Sequence, residues 1–267
     1  MSIKVSHELP INALHLSRKI NDYEYCLPHL LDESKEYRRF FYGAKSDGRY
    51  IIMDNSIHEL GEAYDRSRLL YWIDELEPNE FIVPDVWEDK TGTLVSAKEW
   101  SSIDLPKGVE KVAVVQAKSY GEGVECYNIL KTQGYHKLSF SYGAEWYGQL
   151  VDNLEFLSSR AKKAYGRFIF ISQLYYSGVI SSTDSVHLLG CNLPQEYGWY
   201  RNFPFIKSVD TSNPVMAALE DVRYWDFGLL DKPKASMNDE FDSIDEDLII
   251  YNAKKFREIN GFDPLSA

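Results

Sequence analysis

Cysteine is scarce in this chain. Only Cys26, Cys126 and Cys191 occur in 267 residues, an odd number, far apart and without CxxC spacing. Neither a disulfide framework nor a thiolate zinc site is indicated. Long apolar runs are missing as well: none approaches the roughly 18 residues needed to span a bilayer. The opening MSIKVSHELP has neither the basic nor the apolar region of a signal peptide. There is no strict repeat and no low-complexity tract. These absences lead to the expectation of a cytoplasmic protein that works without metal or cofactor.

What is present is enough for a packed core. Hydrophobic residues make up 44% of the chain and aromatics 14%, which excludes disorder over most of its length. The size suits one α/β barrel as well as two small domains. The formal charge is −12. Asp239, Glu240, Asp242, Asp245, Glu246 and Asp247 crowd the stretch NDEFDSIDEDL, read as an exposed linker leading into a C-terminal helix. Against them stand basic clusters at Arg38 and Arg39, at Arg160, Lys162, Lys163 and Arg167, and at Lys254, Lys255 and Arg257. An acidic protein repels nucleic acid at long range but still binds it through one basic face. Solvated helix faces are the simpler account of each cluster, and charge weighs mildly against nucleic acid while leaving the partner open.

Eight short segments rich in β-branched and aromatic residues read as strands: IKVSH, YEYCLP, YIIMDN, EFIVPD, KVAVVQ, KLSFSY, VHLLGC and FIKSVD. Helical patterns lie between them, in DRSRLLYWIDEL, TLVSAKEWSSI and GVECYNILKTQG. The last carries Val124, Tyr127, Ile129 and Leu130 as an apolar stripe and stops on Gly134. The stretch from about 150 to 183 is too long for one crossover and reads as a helix plus an extra element. Alternation of strand and helix argues a parallel sheet, and eight units argue a (β/α)8 TIM barrel. The expected organisation is a barrel over 1–230 with an insertion near 150–183, then an acidic linker and C-terminal helix over 231–267.

Three of the strand segments end an apolar run on a polar residue: Asp54, Asp85 and Gln116, each 31 residues after the last. Continuously apolar runs fit parallel strands buried on both faces. Polar side chains at the carboxyl ends of such strands are where these folds place their chemistry. The last strand runs into SVDTSNP, with Asp210 at its end and Pro214 placed as the first residue of a helix. Taken singly, each of these residues also fits a helix cap. Two strand-end carboxylates together can serve as nucleophile and acid/base at a glycosidic carbon, where the transition state is oxocarbenium-like. His187 in VHLLG is a weaker catalytic candidate, since a strand-borne histidine is usually a hydrogen-bonded core residue.

The segments MDNSIHELG, VPDVWED, VVQAKSYGEG, KLSFSYG, HLLGCN and SVDTSNP follow the order of the site-bearing segments of the tRNA-guanine transglycosylase superfamily. The chain most resembles its smaller branch, the DNA 7-deazaguanine transglycosylases of phages and bacterial modification clusters. The resemblance covers about residues 49 to 216 and implies a (β/α)8 barrel. It implies that Asp210 is a nucleophile forming a covalent glycosyl-enzyme, and that Asp54 serves in proton transfer or base contact. By the same resemblance Asp85 accepts hydrogen bonds from the guanine edge and Gln116 reads the base. Ser141 and Gly143 lie where backbone contacts the base. The implied acceptor is nucleic acid, DNA rather than tRNA, with the 160–167 cluster as its backbone-binding face and a 7-deazaguanine as the incoming base; a homodimer is compatible with it. Alternatives are the same chemistry on tRNA, an N-glycoside hydrolase or transferase for free nucleosides or nucleotides, and a non-catalytic partner subunit. The chain departs from the family twice. It cannot build the zinc site of three cysteines and one histidine, and DNSIHELG replaces the Gly-Gly-Phe-Gln turn. Trp87, Tyr120 or Tyr142 is left to supply a stacking aromatic.

Overall fold

The computed structural model describes residues 3–62, 64–226, 228–229, 233–234 and 243–265. Its first half runs β1 (Lys4–Ser6), α1 (Ser17–Ile20), β2 (Glu24–Cys26), α2 (Pro28–Glu33), α3 (Lys35–Ser46), β3 (Ile51–Met53), α4 (Ile57–Leu60), α5 (Arg66–Leu76), β4 (Glu80–Ile82) and α6 (Lys90–Ser101). There follow β5 (Glu110–Val115), α7 (Tyr120–Thr132), β6 (Lys137–Ser141), α8 (Glu145–Gln149), α9 (Ser159–Tyr176), β7 (Ser185–Leu189), β8 (Ile206–Asp210), α10 (Asn213–Leu219) and α11 (Glu246–Asn260). All eight strand segments read from the sequence are strands. They form one parallel sheet in the order β1-β8-β7-β6-β5-β4-β3-β2, and the fold is of the (β/α)8 barrel class. No described helix is long and apolar enough to cross a membrane.

The chain divides into two compact units. One comprises residues 23–141 and 184–186, and holds β2 to β6. Its strands pair in parallel register, with Glu24 opposite Ile51, Ile52 opposite Glu80, and Val112 opposite Lys137. β2, β3 and β4 are buried at every residue, as the uninterrupted apolar runs require. The exceptions to apolarity sit at the amino ends of the strands. Lys137 reaches both carboxylate oxygens of Glu80 at 2.6 Å, and the Tyr50 hydroxyl donates to the same carboxylate. Glu24 takes the Arg49 guanidinium at 2.9 Å. Charges this deep are costly unless paired or hydrogen-bonded.

Helix starts in this unit follow side-chain capping. Asp65 accepts from the backbone N–H of Arg68 at 2.9 Å and Asp89 from that of Thr91 at 3.0 Å, satisfying donors that the first turn leaves open. The apolar stripe expected on α7 is shifted. Gly123, Cys126, Tyr127 and Leu130 are its buried residues, whereas Val124 and Ile129 are half-exposed. A spacing of three, one and three is the better helical stripe, and a glycine and a cysteine carry half of it. Gly134 lies beyond the helix at φ +95°, a backbone conformation that glycine adopts without strain.

The other unit comprises residues 1–22, 142–183 and 187–267, as far as these are described. β1 and β8 pair in parallel, Ser6 opposite Asp210. The stretch read as an insertion contains α9, packed on the short α8. Their approach is so close at Gly166 that a Cβ there would stand 1.8 Å from the Tyr147 carbonyl oxygen. α10 begins at Asn213, so Pro214 is its second residue rather than its first, and it stops at Leu219. α11 is preceded by Asp245, whose carboxylate caps Leu248 N–H at 2.9 Å. It packs through Ile249, Asn252, Ala253, Phe256, Arg257 and Asn260, with Asn252 Nδ2 donating to the Val222 carbonyl and Asn260 Nδ2 to that of Pro194. Of the six clustered acids, Asp239, Glu240 and Asp242 lie outside the described residues.

Candidate active site

In the unit built on β2 to β6, three strand ends converge on Asp85. Asn55, in the turn after β3, donates its Nδ2 to Asp85 Oδ1 at 2.8 Å. Gln116, just past β5, donates its Nε2 to Asp85 Oδ2 at 2.7 Å. The equal spacing of Asp85 and Gln116 thus becomes a direct contact between adjacent strands. Asp85 is buried and has no lysine or arginine partner among the described residues. Burial lifts its carboxyl from an ordinary value of 3.8 to about 6, against the opposing pull of the two amide donors and aided by the nearby Asp54 carboxylate. A buried carboxylate held by neutral donors and titrating near 6 is a costly arrangement, of the kind found at functional sites.

Gln116 is committed at both ends, because its Oε1 accepts the Glu88 N–H at 3.0 Å. In this arrangement it props Asp85. Asp54 is also buried, its Oδ1 taking the Tyr25 hydroxyl at 2.8 Å and its Oδ2 the Ser56 N–H at 2.9 Å. Ser56 sits at φ +59°, unusual for a non-glycine residue. This turn is held by side chains: Asp54 on Ser56 N–H, Asn55 Oδ1 on Ile57 N–H at 3.0 Å, and His29 Nδ1 against Ser56 Oγ at 2.8 Å. Burial lowers the pKa of His29. Ser141 ends β6, half-buried. Beyond Asp85, Val86 and Trp87 are exposed, as is Tyr120 at the start of α7. A cavity of about 440 Å³, lined in part by Ile103, Lys107, Glu110 and His136, lies at the amino ends of β5 and β6 and contains none of the candidate residues.

In the other unit Asp210 closes β8 and is 4% exposed. Its Oδ1 faces His187 Nε2 at 2.9 Å and its Oδ2 accepts the Gly190 N–H at 3.3 Å. The opposite ring nitrogen of His187 meets Ser208 Oγ at 2.8 Å. Behind them, the Tyr197 hydroxyl lies 2.8 Å from the Asp210 carbonyl and 2.7 Å from that of Gly190. Gly190 is at φ +56° with the Tyr142 ring against it: a Cβ would fall 2.4 Å from Tyr142 Cδ1. Only glycine fits. Gly143, also at positive φ, follows Tyr142, whose N–H bonds to the Leu189 carbonyl at 2.9 Å. The role of Tyr142 here is to pack on the loop that carries Gly190.

The basic cluster fares differently from expectation. Arg167 is fully buried: it pairs with Glu196, itself fully buried, and donates to the carbonyls of Leu189 and Gly190 at 3.0 and 2.9 Å. It is not a phosphate contact, because the α9 stripe turns it inward. Lys163 pairs with Glu145 and Lys162 lies 3.8 Å from an Asp152 carboxylate oxygen. Arg160, on the first turn of α9, is half-exposed.

No family model matches the chain, and no curated protein does.

The three cysteines are buried and none is in a disulfide. Among the described residues no three His, Cys, Asp or Glu side chains are grouped to hold a metal ion. Asn55, Ser208, Gly190 and Tyr197 went unnoticed in the sequence. Asn55 and Gly190 read as turn formers, and Ser208 lies inside a strand segment. Only the two-residue spacing of Ser208 and Asp210, which puts both on one face of β8, signals their connection.

Proposed function

We propose that this chain is a base-exchange transglycosylase that replaces guanine in a nucleic acid by a 7-deazaguanine, with Asp210 as nucleophile. A carboxylate oxygen of Asp210 bonds to the anomeric carbon as the glycosidic C–N bond breaks. The bonding pair leaves with the guanine nitrogen, which takes up a proton from water. The incoming base gives up its N–H proton to water and attacks the same carbon, the ester C–O bond breaks, and the carboxylate is restored. Order and identity of the motif residues support the assignment.

The observation that carries the reading is Asp85. Each of its carboxylate oxygens has two lone-pair sites. Asn55 takes a site on Oδ1 and Gln116 one on Oδ2, and the carboxylate keeps further lone-pair capacity. Guanine presents two donors side by side, its N1–H and exocyclic amine. A desolvated carboxylate is a strong acceptor for that edge, because its hydrogen bonds are charge-assisted. The test is incubation with labelled guanine and DNA, tRNA or guanosine in parallel. The acceptor that becomes labelled identifies the substrate, and Asp210→Asn is expected to lose at least about 10²–10³ in rate. If Asp210→Asn exchanges at near wild-type rate, Asp210 is only a structural partner of His187 and Gly190.

One observation favours a second reading. Arg167 is buried, and Lys162 and Lys163 face carboxylates, which removes most of the basic face assigned to the polymer. With a net charge of −12, transfer or hydrolysis at a free nucleoside is the rival; labelling of guanosine alone would establish transfer, and release of guanine from guanosine without labelling would establish hydrolysis.

A further inference from the structure

His187 lies in β7, completely buried, with both ring nitrogens engaged by one strand. Ser208 Oγ stands 2.8 Å from Nδ1 and Asp210 Oδ1 stands 2.9 Å from Nε2. The two β8 residues are neighbours on one face, and the imidazole spans them like a rung. Proton accounting follows from the donors. An ionised Asp210 accepts only, so Nε2 carries the hydrogen facing it. The neutral ring then offers a lone pair at Nδ1, which Ser208 fills as a hydroxyl donor. Asp210 Oδ2 has the longer contact, 3.3 Å from Gly190 N–H.

We propose that His187 is a positioning residue for Asp210: it fixes the carboxylate through Oδ1 so that Oδ2 is the oxygen that bonds to the anomeric carbon. This rests on the transglycosylase reading. His187 transfers no proton in either half-reaction. Its Nε2–H stays on Oδ1 while Oδ2 becomes the ester oxygen, so Oδ1 is the ester carbonyl. When the incoming base displaces the enzyme, the same donor stabilises the departing carboxylate. A donor preset for charge that returns to the carboxylate acts as an oxyanion-hole group does. Ser208, His187 and Asp210 also line up as in acyl hydrolases, but here the serine is buried within a strand and the histidine's far nitrogen is spent on the carboxylate that reacts. Serine therefore sets the tautomer rather than attacking.

The experiment compares His187→Leu, His187→Gln and Ser208→Ala with the wild type. It uses labelled guanine with duplex DNA, tRNA and guanosine in parallel, and records kcat, KM for guanine and thermal midpoint. His187→Leu removes the donor and should lower kcat about 10²-fold with KM for guanine unchanged. His187→Gln keeps an N–H for Oδ1 and should recover most of that loss. Ser208→Ala should lose less than His187→Leu. In the wild type, imidazole ¹⁵N shifts should report a hydrogen on Nε2. Wild-type exchange with an undiminished kcat in His187→Leu overturns the inference alone. So does a His187→Gln variant that melts like wild type yet is as slow as the leucine variant, or a ring protonated only at Nδ1. Loss of all activity in Ser208→Ala would make serine the nucleophile and overturn it too. A wild type that labels no acceptor brings down the transglycosylase reading, and this inference with it.

Discussion

Replacing Asp85 by asparagine separates the cost of this carboxylate from its use. In the folded chain its pKa is about 6 against an ordinary 3.8, a shift of about 2 units or about 3 kcal/mol of preference for the protonated form. The sign follows from linkage. A raised folded pKa contributes stability that is fully present below about 4 and lost as pH rises through 6. Above pH 7 the ionised carboxylate therefore costs the fold about 3 kcal/mol. Asparagine removes that charge but sets one N–H₂ against the donors of Asn55 or Gln116, at about 1–3 kcal/mol independent of pH. The two terms nearly cancel at pH 8 and do not at pH 4. The variant should be less stable than wild type at pH 4 and close to it or above it at pH 8. The assay is thermal unfolding of both proteins across that range, where other titrating groups cancel in the difference. At roughly 2 °C per kcal/mol for a chain of this size, the difference between the two midpoints should swing by about 6 °C. At pH 8 the variant should also lose guanine binding, since its amide opposes donors with a donor. A midpoint difference that stays flat from pH 4 to 8 would refute the burial argument, and undiminished guanine affinity would remove Asp85 from the site.

Three further outcomes are expected. Gly166→Ala should cost at least about 3 kcal/mol, because its Cβ would strike the Tyr147 carbonyl at 1.8 Å. Gly148→Ala, whose Cβ would meet only Lys162 and Lys163 side-chain carbons at 3.9 Å, should be neutral or stabilise by about 0.5 kcal/mol; thermal unfolding of the pair checks both. Lys137→Met should cost about 3–5 kcal/mol by stranding the buried Glu80. Adding Glu80→Met should recover most of it, read as a double-mutant cycle in denaturant.

The strands were legible because their physics is local. IIM, EFI and VAVV tolerate little besides a strand buried on both faces, and Pro, Asn and Asp bound them closely. The α7 stripe was misread because glycine and cysteine carry half of it, and neither weighs much in an apolar count. Arg167 was misread for a related reason. Within a run of cations a sequence shows charge but not depth: Lys163, one turn before Arg167 on α9, reaches the Glu145 carboxylate, while Arg167 is fully buried. Asp54, Asp85 and Asp210 could be picked out as polar ends of apolar strands. Their holders, Asn55, His187 and Gly190, are set by contacts among different strands and loops, which no local pattern records.

The burial of Arg167 bears on how this protein can change. A segment inserted between strands invites treatment as an interchangeable part, free to be shortened or swapped to alter substrate choice. Here α9 sends its arginine into the backbone at Leu189 and Gly190, the residues that also place a donor on Asp210. Any graft lacking that guanidinium leaves Glu196 charged and buried without its cation, and takes one donor each from the Leu189 and Gly190 carbonyls. Variation in this segment is therefore confined to its outer face, and a library built by exchanging it whole should yield misfolded chains far more often than altered specificities.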